Sequence, residues 1–358
     1  MKRVLVVALF LLLALPEIAF GLSREFTESL PEEVQELWDA VEQEDIQTSW
    51  HDGLLHIWER AKDFFTSEVR GSLQSAGLLI LTAVLCGIGE SCYQTAENEK
   101  VPDYIPLAGT LVITGIVAGN LQIMIGLGQG TIEQLNVLSK TVLPTLSAAV
   151  SASGGMLSAS VRQVATVFFC NGLISVIKTV FLPLLNLMIV LSAADSVLPE
   201  HALGRLAELL RKGITWILTG TILLFTGYLT ISGAAAGAAD NLTVKLTRSA
   251  IATAVPVVGN IISEATSSVL AGAALLKSTV GILGMLGVLA VCITPFLTLG
   301  LQYLLYRVSA LLAGIFTERL TKYLKALSSA FGLLLGMTGT CALLLLISIS
   351  SSVSVVIV

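Results

Sequence analysis

Lys178 is the only charged side chain inside the apolar stretch Val164–Ala194. A lysine at the centre of a bilayer costs about 2.5–3.5 kcal/mol on insertion scales. It therefore needs a partner, water or an escape to the interface. A substrate-coupling charge is the sharper reading; snorkelling or a shifted span boundary is the plainer one. His51 and His56 lie five apart in an acidic segment, with no thiol or third ligand beside them, and read as a solvated surface rather than a metal pair. The five cysteines, Cys86, Cys92, Cys170, Cys292 and Cys341, are scattered through apolar stretches without a C-x-x-C pair. They read as small buried residues, not as a disulfide framework.

The signatures of hydrolytic and nucleotide chemistry are missing. There is no GxxxxGK[ST], HExxH or GxSxG in the chain. Intramembrane proteolysis needs a Ser–His pair or two aspartates within spans, and the apolar spans hold neither His nor Asp. No catalytic, cofactor-binding or metal-ligating residue is assigned, no cofactor is expected, and an enzyme is not expected.

Two Gly/Ala/Ser/Thr-rich stretches, 127–165 and 240–277, hold the residues of most interest. The first contains LNVLSKTVLPTLSAAVSASGG around Pro144; the second contains KLTRSAIATAVPVVGNIISEATSS around Pro256. Small residues let helix backbones approach where lipid supplies no hydrophobic drive. Proline frees a backbone carbonyl, and non-helical backbone at membrane depth persists only where protein covers it or water lines it. Broken, Gly/Pro-interrupted segments in matching halves point to a translocation path; tight helix packing with no path uses the same residues. Pro144, Gly154, Gly155, Lys178, Pro183, Gly233, Gly237, Pro256, Gly259 and Pro295 are the candidate positions for either role.

The elements that must carry these residues are membrane helices. Of 358 residues, 54% are hydrophobic and 13% charged, with a mean hydropathy of +0.86. Soluble domains carry roughly 25% charge. The net charge of -5 and the absence of a basic footprint argue against a nucleic-acid partner. Residues 1–21 read as a cleavable signal peptide: Lys2 and Arg3, an apolar core Val4–Leu15, then Pro16 and Ala19-Phe20-Gly21. Residues 22–70 form an acidic segment with 13 Asp/Glu against 4 Lys/Arg, spaced for one or two amphipathic helices and expected outside the cytoplasm.

Residues 71–358 are expected to be a multi-span, all-α membrane domain. The simplest count is six spans, 71–89, 105–126, 166–192, 213–238, 278–304 and 326–346, each near the roughly 20 residues a bilayer requires. The count becomes eight if the small-residue stretches cross; otherwise they re-enter or lie at the outer surface. Segments 195–212 and 305–325 of the cytoplasmic loops read as interfacial amphipathic helices or docking surfaces. Cytoplasmic loops then hold eight Lys/Arg and outer loops five, which favours this orientation. An internal repeat supports the pattern. At an offset of 112 residues, Thr114-Gly115 falls on Thr226-Gly227 and then on Thr338-Gly339. Pro144 falls on Pro256, and Pro183 on Pro295, giving units near 105–212 and 217–324.

Three segments make the chain familiar: YLTISGAAAG at Tyr228–Gly237, AVPVVG at Ala254–Gly259 followed by Ser263-Glu264, and Ile125–Gly155, which begins IGLGQGTIEQLN. With the signal peptide and acidic exported segment, they make the chain resemble the stage III sporulation protein AE family of endospore-forming bacteria, over roughly residues 70–350. The resemblance implies a multi-pass mother-cell protein in the membrane around the engulfed forespore. It implies partners from the same operon, including ring-forming proteins and a separate cytoplasmic ATPase, together with a forespore membrane protein. Together these would form a channel or secretion-like complex supporting late forespore development. No catalytic residue carries over, and self-association is left open. The rival readings are a stand-alone secondary transporter and an assembly scaffold.

Overall fold

The computed structural model describes residues 74–89, 104–197, 202–254 and 259–353, with isolated positions 31, 35, 59, 62 and 71 before them. Residues 1–21, expected to be a signal peptide, nearly all of the acidic segment 22–70, and Pro256 lie outside the described residues.

Backbone polar groups in lipid must be satisfied within their own segment, and the apolar runs of this chain form long helices. A short helix, α1, spans Gln74–Gly89. It is followed by α2 (Tyr104–Ala152), α3 (Met156–Val176), a π turn at Ile177–Phe181, and α4 (Leu182–Val197). Then come α5 (Ala202–Ala254), α6 (Gly259–Ala313) and α7 (Glu318–Val353). The segment Met156–Val197 is continuous through the π turn, so among the described residues there are five helices long and apolar enough to cross a membrane. The five stand against about six expected spans: every described residue of the six expected segments is helical, but the first lies largely in α1, which is shorter than a span. The protein is an all-α, polytopic membrane protein.

The spans prove far longer than expected. At 1.5 Å per residue, α2, α3 through α4, α5 and α6 are each about 63–82 Å long, against a hydrocarbon core of about 30 Å. The stretches expected to be outer loops are the far ends of these helices. Residues 127–152 continue α2 without a break at Pro144, and 240–254 continue α5. The physical reason is visible in the hydroxyls. Thr131, Thr141 and Thr145 donate to the carbonyls of Leu127, Val137 and Thr141, so these polar side chains are satisfied inside the helix. The expected interfacial helices after 195 and 305 are likewise no separate elements. They are the first turns of α5, the last turns of α6 and the start of α7.

The turn between α2 and α3 is a Schellman motif. Gly154 sits at φ 96°, its N–H donates to Ser151 O, and the Gly155 N–H donates to Val150 O. At the 112-residue offset, this turn maps onto Thr266-Ser267, which lies within α6.

The bundle is organised around α7, which touches every other long helix. Leu320, Leu324, Leu327, Phe331 and Leu344 are fully buried along it. Hydrogen bonds tie it to its neighbours: Ser328 Oγ to Tyr303 O at 3.0 Å, Thr114 Oγ1 with Tyr323 Oη at 2.8 Å, and Thr166 with Ser348. Such small polar contacts hold membrane helices together where burial of apolar surface gives no net drive.

Candidate functional site

One face of α2 is built differently from the rest of the bundle. Ile113, Val117, Leu121, Ile132, Leu135, Leu146 and Val150 point into the core. The opposite face repeats every three to four residues as Gly115, Gly119, Gln122, Gly126, Gln129, Glu133, Val137, Lys140, Pro144 and Ala148, and all of these are exposed. A Cβ added at Gly115, Gly119, Gly126 or Gly130 would meet no atom within 4 Å. Val137 is the only bulky apolar residue in the series. Small residues, amides and charges along a single helical face form a surface to which lipid has little to offer.

Lys178 closes one edge of this stripe. Pro183 cannot donate to the carbonyl four residues back, and its ring crowds that carbonyl. The helix answers with the π turn Ile177–Phe181, in which the Leu182 N–H reaches Ile177 O instead. Lys178 lies within that turn. Its ammonium donates to Glu133 on α2, and the Asn136 amide donates to the other Glu133 oxygen at 3.3 Å. Both charged side chains are about half exposed, 47% for Lys178 and 49% for Glu133. Thus Lys178 does have a partner. The sequence reading missed it because residue 133 was assigned to an outer loop.

A second ionic site lies at the turn end of the bundle. The N-cap residue of α3, Gly155, has no side chain with which to cap it. Asp240 on α5 does so in its place, accepting from Leu157 N at 3.0 Å and Ser158 N at 2.8 Å. A carboxylate there also complements the positive end of the helix dipole. Arg162, one turn further along α3, is 8% exposed. Its guanidinium lies over Gly233, where a Cβ would stand 2.9 Å from Nη2. Its Nε and Nη1 make no hydrogen bond. The structure therefore brings Gly154, Gly155 and Gly233 to one place, around the charges of Asp240 and Arg162.

The remaining candidates separate. Pro144 lies on the exposed stripe of α2, and Pro295 lies within α6. Gly237 is one turn beyond Gly233 on α5, and Gly259 opens α6. Among the described residues, no group of three His, Cys, Asp or Glu could hold a metal, and Cys86, Cys170, Cys292 and Cys341 are free thiols. What these two places can do is electrostatic. They fasten helices to each other and present polar groups along a membrane protein's side.

Comparison with known proteins agrees on one family. The family model described as Stage III sporulation protein AE matches residues 33–356. The Stage III sporulation protein AE of Bacillus subtilis (strain 168) is 26% identical over 229 residues, which cover 64% of this chain and 57% of that protein. The matched region thus spans less than two thirds of that relative's length. No solved structure matches.

Proposed function

The chain belongs to the stage III sporulation protein AE family, and we propose that it is the membrane-embedded wall of a multi-chain channel joining mother cell and forespore during sporulation. The observation that supports this reading is the exposed polar stripe of α2, from Gly115 to Ala148. A polytopic protein working in lipid covers such a face with another subunit or with water. In this reading the stripe, edged by Lys178 and Glu133, faces the path, and further sporulation proteins complete the ring. A separate cytoplasmic ATPase supplies the energy, because this chain carries no phosphate-binding loop, and the chain itself performs no catalysis. It resides in the mother-cell membrane around the forespore, with its N-terminal segment outside the cytoplasm.

Deleting the gene in the spore-former that carries it should arrest development after engulfment. Complementation with Gln129→Leu/Glu133→Leu, checked for normal membrane abundance, should fail to restore spores. Full sporulation from the deletion strain would end the proposal. Full rescue by the apolar variant would remove the stripe from it. A second reading, a stand-alone secondary transporter, is favoured by the Lys178–Glu133 pair, a charge couple bridging two membrane helices. Ion-driven solute uptake by the purified chain in liposomes, abolished by Lys178→Met, would select that reading.

A further inference from the structure

At the end of the bundle opposite the Gly154 turn, α4, α5, α6 and α7 surround a cavity of about 1130 Å³. Six cations line it: Arg205, Arg211 and Lys212 from α5, Arg307 from α6, and Lys322 and Lys325 from α7. Two acids do so as well, Asp195 and Glu208. Glu208 is taken up by Arg211 and Lys212, and Lys322 pairs with Glu318. The Asp195 carboxylate accepts the Gly204 N–H at 2.7 Å. Arg205, Arg307 and Lys325 pair with no acid among the described residues, although three separate helices bring them to one cavity.

Charge bias alone accounts for basic residues at a cytoplasmic end. It does not account for their convergence on one hollow, nor for what lies beside them. Leu209 both lines the cavity and is 65% exposed. Leu304, Val308 and Leu311 flank Arg307 along the same side of α6, and all three are exposed. A small anion such as free phosphate would occupy a minor part of a space larger than most drug-sized pockets, and would leave those apolar side chains bare. A phospholipid fits both halves: its phosphate reaches the cations, and its chains run down the leucines.

We propose that this cavity binds the headgroup of an anionic phospholipid, preferentially one carrying two phosphates, because six cations face two acids. Basic pockets between membrane helices on the cytoplasmic side suit such headgroups. The site is independent of the channel reading, and lies at the other end of the molecule from Asp240.

Native mass spectrometry of the full-length protein in detergent tests it, with cardiolipin, phosphatidylglycerol, phosphatidylethanolamine and inorganic phosphate titrated separately. Cardiolipin should be retained most tightly, phosphatidylglycerol less, and phosphatidylethanolamine hardly at all. Each of Arg205→Gln, Arg307→Gln and Lys325→Gln should weaken cardiolipin binding about fivefold. Lys245→Gln, which removes equal charge outside the cavity, should leave it unchanged. Equal retention of phosphatidylethanolamine, or unchanged cardiolipin binding in all three variants, would overturn the proposal. So would displacement of cardiolipin by equimolar inorganic phosphate, which would mark a site for free anions. Displacement by an acidic peptide with no lipid retained by the wild type would mark a protein-docking site and would equally overturn it. Should a variant fail to fold, the headgroup ranking on the wild type still decides.

Discussion

Replacing Asp240 by alanine should be among the most damaging single changes in the described part of the bundle. Asp240 is 5% exposed and accepts two backbone N–H groups of α3. It also provides the negative charge near Arg162, itself 8% exposed. Asp240 and Arg162 form no direct ion pair, so the about 3–5 kcal/mol lost when a contacting buried pair is broken is an upper bound on the cost of leaving Arg162 without its nearby counter-charge. Losing a helix cap alone costs about 1 kcal/mol. A double-mutant cycle separates the two contributions. Arg162→Met removes the stranded charge, so adding it to Asp240→Ala should leave roughly the cap loss, a coupling of at most about 2–4 kcal/mol. Unfolding of the purified protein in mixed micelles, with a rising fraction of denaturing detergent, measures each corner. If Asp240→Ala costs less than about 1 kcal/mol, or the double variant loses the sum of the two singles, the two charges are not coupled through burial and the reasoning fails.

Other substitutions probe the turn, the packing and the stripe. Gly154→Ala should lower stability by about 1–2 kcal/mol in the same assay, because a side chain is forced into the left-handed region at φ 96°. Gly87→Ala places a Cβ 2.5 Å from Phe316 Cβ and 2.9 Å from its carbonyl oxygen. Since backbone cannot yield cheaply, it should cost about 1–3 kcal/mol and abolish disulfide trapping between cysteines placed in α1 and at 316. Lys178→Glu should impair sporulation at normal protein abundance, and Glu133→Lys in the same chain should restore it. A failed reversal would show that the pair is not the reason for the defect.

The sequence made the helices legible and hid how far they run. Every described residue of the expected spans lies in a helix because hydropathy and the absence of charge report lipid directly. The overrun at 127–152 was hidden because Ser, Thr and Gly lower hydropathy whether they form a loop or a helix. Only the bonds from Thr131, Thr141 and Thr145 to carbonyls four residues back tell the two apart. Gly154 and Gly155 were legible as special positions, and their φ and bonding explain why. The ionic partners were not. Glu133 and Lys178 are 45 residues apart, and Ser158 and Asp240 are 82 apart, so no local pattern joins them. Gly233 was singled out for its motif, yet its evident work is to leave room for Arg162. The α2 stripe had a usable signal: Gln122, Gln129, Glu133 and Lys140 share one helical face.

The two walls beside Lys178 constrain where water can stand. On the α3–α4 side, Val164, Phe168, Val176, Val180, Leu187 and Val190 are exposed above and below the lysine. That is a lipid-like flank, but Asn171, Ser175, Thr179 and Asn186 are exposed too and give the helix a polar edge on either side of Lys178. On the α2 side, the exposed bulky residues Leu107, Leu111, Val112 and Ile123 end before Glu133, and only Val137 follows. An apolar flank of α3–α4 thus adjoins a polar seam that includes the α2 stripe, at the same height in the bundle. A planar bilayer cannot supply lipid to one and water to the other unless something separates them. Lys178 and Glu133 stand at that seam, each half exposed. The pair is therefore the natural border between a lipid-facing flank and a flank that belongs to water or to a neighbouring subunit. A charge couple at such a border needs neither full burial nor full hydration, and this explains how a lysine persists in an apolar helix whose own turns offer it no partner.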